Sequence, residues 1–182
     1  KQEGFELTMH PFCRNTVAAM DWGGTIMNRY MSRDNKSRHR RYTSDVFEMA
    51  AAIVNQASIQ CIAMYPNNLS ELPQHEIDFL KSVPTTWDET RFVDGYPGKY
   101  AVVARRHGDK WYVAALNGTN KPLSINLSLP MLAGKQVTYH YETADKKSLW
   151  PKSNVKTTKV GKDGKLKIVM QPMGGNIVLG EA

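Results

Sequence analysis

The sequence predicts an α/β region over residues 1–90 followed by an antiparallel β-sandwich over residues 91–182. Two observations predict this division. Before residue 90, apolar residues recur at helical spacing on both sides of one short apolar run. After residue 90, apolar and polar residues alternate in short runs separated by Gly-Asp and Asp-Gly turns, which is typical of antiparallel strands.

The first predicted helix lies in YTSDVFEMAAAIVNQ, residues 42–56. Ser44 or Thr43 can cap its first turn, and Asp45 and Glu48 place negative charge where the helix dipole favours it. Spacings of three and four residues predict a single buried face, made of Val46, Met49, Ala50, Ile53 and Val54.

A strand and a second helix follow. SIQCIAMYP, residues 58–66, is short and apolar, as in a buried parallel strand. LPQHEIDFLKSV, residues 72–83, predicts a helix that starts near Pro73 and stops before Pro84. The order segment, helix, strand, helix is the tail of a βα-repeat architecture. It is too short to close a barrel, which needs roughly 250 residues.

The second region predicts a series of strands. Residues 99–118 read as a hairpin around Gly108 and Asp109, and residues 123–130 alternate between apolar and polar positions. Residues 135–145 predict another strand, and residues 154–170 predict a hairpin around the turn GKDG. GNIVLG then adds a last strand, so the pattern favours a β-sandwich.

Composition narrows the class of protein. The 182 residues are 41% hydrophobic and 23% charged, as in a globular domain or two small ones. No apolar run reaches the roughly 18 residues of a membrane span. The net charge of +7 is concentrated in RDNKSRHRRY, residues 33–42, and otherwise scattered. A solvated connection explains it better than binding of nucleic acid, which we do not expect.

Cys13 and Cys61 lie in apolar contexts, which predicts buried free thiols rather than zinc ligands. The five histidines show no metal-ligand spacing, and no phosphate-binding glycine loop precedes a helix. The first ten residues, KQEGFELTMH, have neither an initiating Met nor an apolar signal core. We therefore expect either a removed leader or a chain that begins inside a larger protein.

The segment PFCRNTVAAMDWGG, residues 11–24, places polar groups inside an apolar run. A strand-to-loop passage here would bring Arg14, Asn15, Asp21 and Trp22 to the carboxyl end of a sheet, the edge that holds active sites in barrels. Arg and Asp can hydrogen-bond sugar hydroxyls, and Trp offers an apolar face to a pyranose ring. The alternative is a structural ion pair between Arg14 and Asp21.

Two further polar segments allow two interpretations each. YPNN, residues 65–68, could line the same edge or form a turn, and the turn is favoured. In PTTWDETRFVDG, residues 84–95, neighbouring Asp88 and Glu89 point to opposite sides of an extended chain, so they cannot flank one glycosidic bond. We interpret them as ion-pair partners of Arg91 or Lys81, with Trp87 filling the space between the two regions.

Several segments together resemble glycoside hydrolase family 97. They are PFCRNTVAAMDWGG, IQCIAMYPNN, DFLKSVPTTWDETRFVDGYPGKYAVVARRHGDKWYVAALNG and the Gly-Gly pair near the end. The resemblance implies the last βα units of a (β/α)8 TIM barrel in residues 1–90 and a C-terminal β-sandwich in residues 91–182. It implies hydrolysis of α-glucosides or α-galactosides, with calcium as cofactor. It also implies a bacterial protein of the periplasm or cell surface.

In this family the catalytic and calcium-binding carboxylates precede the P-F-x-R-N segment, so the resemblance assigns no catalytic or metal residue to this chain. The partners it implies are a carbohydrate substrate, the rest of the barrel and an N-terminal β-sandwich. Substrate contacts are expected from Arg14, Asn15, Asp21 and Trp22. Where family members read MDYTPG, this chain reads MDWGGT, which leaves gluco and galacto preference open.

A non-catalytic sugar-binding or structural sandwich is the alternative function. It requires an exposed aromatic platform, for which Trp111, Tyr112, Tyr139 and Tyr141 are the candidates. Core filling accounts for at least half of them, because Trp111 and Tyr112 are neighbours in one strand and point to opposite faces. A barrel tail alone would expose apolar surface, so we expect the chain to self-associate unless that surface is covered.

Overall fold

The computed structural model of the protein describes residues 2–182, apart from the side chains at positions 22 and 23. The first part contains α1 (Gln2–Met9), two 3-10 helices (His10–Phe12 and Arg14–Thr16), β1 (Trp22–Ile26), α2 (Asp45–Val54), β2 (Gln60–Ala63), α3 (Asn68–Glu71) and α4 (Gln74–Ser82). Strands β1 and β2 pair in parallel, and α2 lies in the connection between them. The predicted order of helix, strand and helix is therefore confirmed.

Helix α2 starts as its sequence predicts. The Ser44 hydroxyl caps it by accepting a hydrogen bond from the backbone N–H of Phe47 at 3.0 Å. The prediction of one buried face is wrong, because all ten residues of α2 are buried, Asp45 and Glu48 included. The reason is its position, since α2 contacts β1 on one side and the large sheet of the second part on the other.

The second part consists of antiparallel strands: β3 (Glu89–Tyr96), β4 (Tyr100–His107), β5 (Lys110–Asn117), β6 (Leu123–Ser128), β7 (Gln136–Thr143), β8 (Lys152–Lys159), β9 (Lys165–Met170) and β10 (Gly175–Glu181). Six of them form one sheet in the order β3-β4-β5-β10-β7-β8, and β6 and β9 form a second sheet. The two sheets pack face to face, as predicted for a sandwich.

The hairpin predicted over residues 154–170 is not formed. Strand β8 pairs with β7, and β9 pairs with β6, so the GKDG turn carries the chain from one sheet to the other. The apolar residues explain this arrangement. Leu123, Ile125 and Leu127 of β6 face Met170, Ile168 and Leu166 of β9 in register. Strand β8, KSNVKTTK, has no matching apolar alternation and forms a polar edge.

The six-stranded sheet separates two cores. On strand β5, Tyr112, Ala114 and Leu116 face α2, while Trp111, Val113 and Ala115 face the small sheet. Trp111 is only 2% exposed, and Tyr112 and Tyr139 are also buried. Three of the four candidate platform aromatics therefore fill the interior, which argues against a sugar-binding platform built on Trp111.

The segment that joins the two parts runs straight into β3. Glu89 pairs with Arg91 at 2.6 Å, as predicted, and Asp88 pairs with Arg106 at 3.6 Å instead of Lys81. The Trp87 ring lies edge-on to Tyr112, with ring centroids 5.3 Å apart, and packs against the core around α2. Trp87 thus fills the junction, as expected.

The prediction of buried thiols is wrong, because Cys13 and Cys61 are both exposed. Cys61 alternates with Ile62, which packs against the core around α2, so Cys61 points to the opposite face of β2. Cys13 lies in a turn between the two 3-10 helices. We expect a thiol reagent to modify both residues in the native chain without denaturant, since accessible thiols react far faster than buried ones. Counting modified thiols by mass spectrometry checks this, with Cys61→Ser as the control that should lose one. Modification only after unfolding would contradict the structure.

Candidate functional site

Polar side chains gather where the two parallel strands end. The register pairs Ile26 with Ala63, so the chain leaves β1 and β2 at the same edge of the sheet. Residues 27–41 follow β1, and residues 64–67 follow β2 and lead into α3, residues 68–71. The carboxyl edge of parallel strands is where such sheets bind ligands, so these two segments are the first place to look for a site.

Three asparagines tie the two strand ends together. The buried Asn28 side-chain oxygen accepts hydrogen bonds from Asn68 at 2.7 Å and from Asn67 at 3.2 Å. The Asn68 oxygen in turn accepts from the backbone N–H of Tyr65 at 2.8 Å. These bonds fix the positions of Tyr65 and Asn67 relative to β1. The YPNN segment therefore forms the turn favoured by its sequence and also lines the edge.

The connection after β1, residues 28–41, is held in one shape by Asn35. This residue has a φ of 53°, the left-handed conformation that Asn tolerates. Its side-chain oxygen accepts from the backbone N–H groups of Arg29 at 2.6 Å and Tyr30 at 3.0 Å. Its amide donates to Glu71 of α3 at 3.0 Å. The connection is therefore pinned to the segment that follows β2.

Two adjoining cavities open beside these residues. One, of about 610 Å³, is lined by Ser32, Arg33, Arg38 and Tyr65 together with Met31, Asp34 and Ser37. The other, of about 470 Å³, is lined by Arg33, Tyr65, Pro66 and Asn67. Arg33 and Tyr65 belong to both. Guanidinium, amide, hydroxyl and aromatic groups suit a hydroxylated ligand such as a sugar.

The carboxylates at this edge are not equipped for acid catalysis. Glycoside hydrolysis needs one carboxylic acid that protonates the leaving group and a second carboxylate. A hydrogen bond from Ser32 keeps the pKa of Asp34 below its ordinary value, and one from Asn35 does the same to the pKa of Glu71. Both are therefore anions at neutral pH, so these two exposed carboxylates can accept hydrogen bonds from a ligand but are poor proton donors.

The same residues do not fit a calcium centre. Among residues 2–182, no three His, Cys, Asp or Glu side chains converge on a position that could hold a metal ion. Calcium usually takes six to eight oxygen ligands, several of them carboxylates. None of the roles assigned to residues of this chain therefore depends on bound calcium.

Two arginines connect the edge to the base of α2. Asp45, the first residue of α2, accepts hydrogen bonds from Arg41 and, at 3.1 Å, from Arg29. Arg41 is 2% exposed and also donates to the backbone oxygen of Ile26 at 2.6 Å. Both ends of residues 28–41 are thus anchored at one buried carboxylate.

The residues predicted to bind substrate lie at the opposite edge. The predicted strand at PFCRN is absent, because Pro11 and the Thr16 hydroxyl, which donates to the Cys13 oxygen at 2.6 Å, stabilise 3-10 turns instead. Arg14 and Asn15 belong to the second of these turns, and Asp21 directly precedes β1. These residues therefore precede the strand, at its amino end.

Contacts of these residues are few. Arg14 and Asp21 are exposed, and the described ion pairs do not include one between them. Asn15 donates to the backbone oxygen of Gln56, just after α2, at 3.3 Å. Trp22 begins β1, and its side chain lies outside the described part of the structure. A role of the four residues in substrate binding stays a prediction.

Sequence reasoning missed Asn28 and Asn35. Both occur in the stretch MNRYMSRDN, residues 27–35, which looks like an ordinary polar connection. Their position directly after β1 could have indicated a site. However, the sequence of β1, WGGTI, contains two glycines and has weak strand propensity. Without a recognised strand, there was no carboxyl end to assign.

Comparison with known proteins places this fold. A family model described as "Glycosyl-hydrolase 97 C-terminal, oligomerisation" matches residues 86–179. A retaining α-galactosidase of Bacteroides thetaiotaomicron is 27% identical over 172 residues, which cover 92% of this chain and 26% of that protein. The chain thus spans about a quarter of the length of this relative.

Solved structures match nearly the whole chain. The crystal structure of a β-arabinopyranosidase superposes with a TM-score of 0.90 and 46% identity, over 98% of this chain and 28% of the other. A family 97 glycoside hydrolase from Pseudoalteromonas sp. strain K8 superposes with a TM-score of 0.79 at 22% identity, over 98% and 28% of the two chains. The second match concerns the fold alone.

The structure thus combines a β-sandwich with a short parallel α/β segment that has a polar carboxyl edge. The family match is specific. The chain belongs to the C-terminal domain family of the family 97 glycoside hydrolases. None of the helices in the described part is long and apolar enough to cross a membrane.

Proposed function

We propose that this chain is the C-terminal part of a retaining glycoside hydrolase that acts on α-galactosides or β-arabinopyranosides. The observation that carries the proposal is the likeness to the β-arabinopyranosidase, which extends over 98% of the chain at 46% identity. The similarity to a retaining α-galactosidase supports the same substrate class. In this proposal, the catalytic carboxylates are supplied by a preceding part of the enzyme.

The two sugars share one stereochemistry. A β-L-arabinopyranoside has the ring configuration of an α-D-galactopyranoside and lacks only the hydroxymethyl group at C5. One site can therefore orient either sugar through the same ring hydroxyls, and preference depends on the space left for that group. A single added carbon group in a pocket changes discrimination by about 1–3 kcal/mol.

In this proposal, β1, α2, β2 and α4 are the last βα units of a (β/α)8 barrel. The carboxyl edge of β1 and β2 would then form part of the rim of the sugar site. Arg33, Tyr65 and Asn67 would contact substrate from this rim, beyond the two carboxyl groups that perform the displacement. Packing of α2 between β1 and the six-stranded sheet fixes the rim to the sandwich.

Other features stay predictions. They are calcium as a cofactor held by preceding residues, a location in the periplasm or at the cell surface, and contact with an N-terminal β-sandwich. Binding of substrate by Arg14, Asn15, Asp21 and Trp22 also belongs here, and their place at the amino edge of β1 makes the carboxyl edge the stronger candidate.

The test is hydrolysis of aryl α-galactoside, aryl β-L-arabinopyranoside and aryl α-glucoside. We expect no turnover by the 182-residue chain, and turnover of the first two substrates by a protein that also contains the coding region upstream. In that protein, Tyr65→Ala should raise KM at least tenfold, whereas the control Leu69→Ala on exposed α3 should not. A preference for the α-glucoside, or turnover by the chain alone, would contradict the proposal.

A further inference from the structure

Helix α4 carries a carboxyl group with unusual surroundings. Glu76 is fully buried, and neither of its side-chain oxygens has a hydrogen-bond partner. Buried polar groups are nearly always satisfied, so such a group calls for an explanation. A protonated carboxyl tolerates this position far better than a carboxylate, which would lose its hydration without compensation.

A cavity of about 440 Å³ lies beside Glu76, between α4 and the sandwich. Its walls include His75 and Glu76 from α4, Asp45 from α2, and Trp150 and Ser153 from the sandwich. Exposed Lys152 also borders the cavity, so it reaches the surface. Water is therefore close to Glu76 but separated from both carboxyl oxygens.

One direct contact closes the seam between α4 and β8. The Nε2 atom of His75 lies 2.5 Å from the Ser153 hydroxyl, within hydrogen-bond distance. The His75 ring also lies near that of His140 on β7, with centroids 5.9 Å apart. Hydrating an ionised Glu76 requires water to enter from the cavity, which means that α4 must move away from this contact.

The charges around Glu76 do not compensate for its burial. Burial, reinforced by the negative charge of Asp45, raises the pKa of Glu76 to about 7, although the nearby Ser153 hydroxyl, Arg41 and Arg29 act in the opposite direction. Both arginines already pair with Asp45. The remaining charged or titratable groups that face the cavity are His75, Tyr141, Asp145 and Lys152, with His140 behind His75.

The two histidines do not gain charge in the relevant pH range. Burial lowers the pKa of His75 below its ordinary value and the pKa of His140 to about 4. Neither histidine therefore gains charge as the pH rises from 6 to 8.5. Two other buried acids, Glu142 on β7 and Glu48 on α2, also have pKa values raised into this range, so substitution of Glu76 itself isolates its contribution.

We propose that the packing of α4 against strands β7–β8, called the joint below, depends on the protonation of Glu76. The joint is tightly packed while Glu76 is protonated and loosens when Glu76 ionises. The joint is independent of which sugar the enzyme accepts. Because Arg29 and Arg41 meet Asp45 at the same cavity, loosening of the seam also weakens the anchor of residues 28–41. Mildly alkaline conditions would thus loosen the candidate rim as well.

Hydrogen exchange of the 182-residue chain at pH 6.0 and 8.5, corrected for the intrinsic pH dependence, tests the joint. We expect the part of the loss of protection of α4 and β8 that depends on Glu76 to reach about tenfold at the higher pH, because a pKa of about 7 lies only one unit above the lower pH. Glu76→Gln, which cannot ionise, should remove the Glu76 share of this pH dependence and leave the share that belongs to Glu142 and Glu48. The control Glu6→Gln on the exposed face of α1 should retain the full dependence.

Two further measurements keep the outcome decisive. Glu142→Gln removes another buried acid and should leave the response of α4 in place. If Glu76→Gln does not fold, a carbon-13 carboxyl titration of the unaltered chain, with the Glu76 signal assigned, should still show Glu76 titrating near pH 7. Completion of the Glu76 titration below pH 6 would overturn the proposal. Equal protection of α4 at both pH values, or loss of protection in Glu76→Gln as large as in the unaltered chain, would overturn the proposal.

Discussion

Replacing Asp45 with alanine is expected to lower the free energy of unfolding by about 3–5 kcal/mol. The carboxylate of Asp45 is the ion-pair partner of Arg41, whose guanidinium group is buried and donates to Asp45 through Nη2. Without Asp45, this charge stays in the interior uncompensated. Arg29 loses its partner as well, but it is partly exposed and water can replace part of that bond.

Urea denaturation at pH 7, followed by circular dichroism, measures this effect. Asp78→Ala is the matched control, since Asp78 lies on the exposed face of α4 and accepts a hydrogen bond from Gln74 of its own helix. We expect the control to change stability by less than about 0.5 kcal/mol. If Asp45→Ala lowers the free energy of unfolding by less than about 1 kcal/mol, water reaches Arg41 and the ion pair is not shielded from solvent.

The second large effect concerns Glu142, which links the sandwich to the start of α2. Its two carboxyl oxygens accept from the backbone N–H groups of Val46 at 3.3 Å and Gly175 at 3.2 Å. Burial raises the pKa of Glu142 to about 8, with Asp45 acting in the same direction. The folded chain therefore holds this proton more tightly than the unfolded chain, whose pKa is near the ordinary 4.5.

The raised pKa of Glu142 makes the folded chain less stable as the pH increases. The stabilising contribution of the protonated group is complete below pH 4.5 and is lost as the pH rises towards 8. Between pH 5.5 and 8.5, this group alone accounts for a loss of up to about 3 kcal/mol. Glu142→Gln should remove that share of the slope, and the part that remains belongs to Glu48 and Glu76, whose pKa values burial raises to about 7.

Urea denaturation at several pH values measures how the free energy of unfolding changes with pH. This slope reports on the Glu142 pKa more directly than the stability at a single pH. A glutamine directs an amide towards the N–H donors, so the variant loses stability at every pH for a separate reason. An unchanged slope in Glu142→Gln would contradict the raised pKa. A chain that becomes more stable from pH 5.5 to 8.5 would contradict the buried acids as a group.

Local signals allowed much of the fold to be predicted. The cap at Ser44, the apolar spacing of α2 and the prolines around α4 are properties of a few neighbouring residues, and the alternation in β5 and β6 marks strands in the same way. Which strands pair with each other cannot be predicted from such local signals. That β9 joins β6, and not its neighbour β8, depends on which strand offers a matching apolar face across the sandwich.

The candidate site was harder to predict because its parts are distant in sequence. Asn28 and Asn68 meet only because β1 and β2 run in parallel with their ends aligned. The burial of Glu76 and Arg41 could not be foreseen either, since long charged residues in a helix or a basic cluster are normally solvated. Misplacing the strand that precedes a site, as with residues 11–24, moves every assigned residue to the wrong edge.

The order of strands in the large sheet has a consequence for the route by which the chain acquires its structure. Strand β10 lies in the middle of that sheet, between β5 and β7, yet it comes last in sequence. During synthesis, β3–β5 and β7–β8 can form as separate ribbons, but they are hydrogen-bonded into one sheet only when residues 175–181 are available. Their apolar edges stay open until then, which makes late assembly the step most exposed to misfolding and most in need of a chaperone.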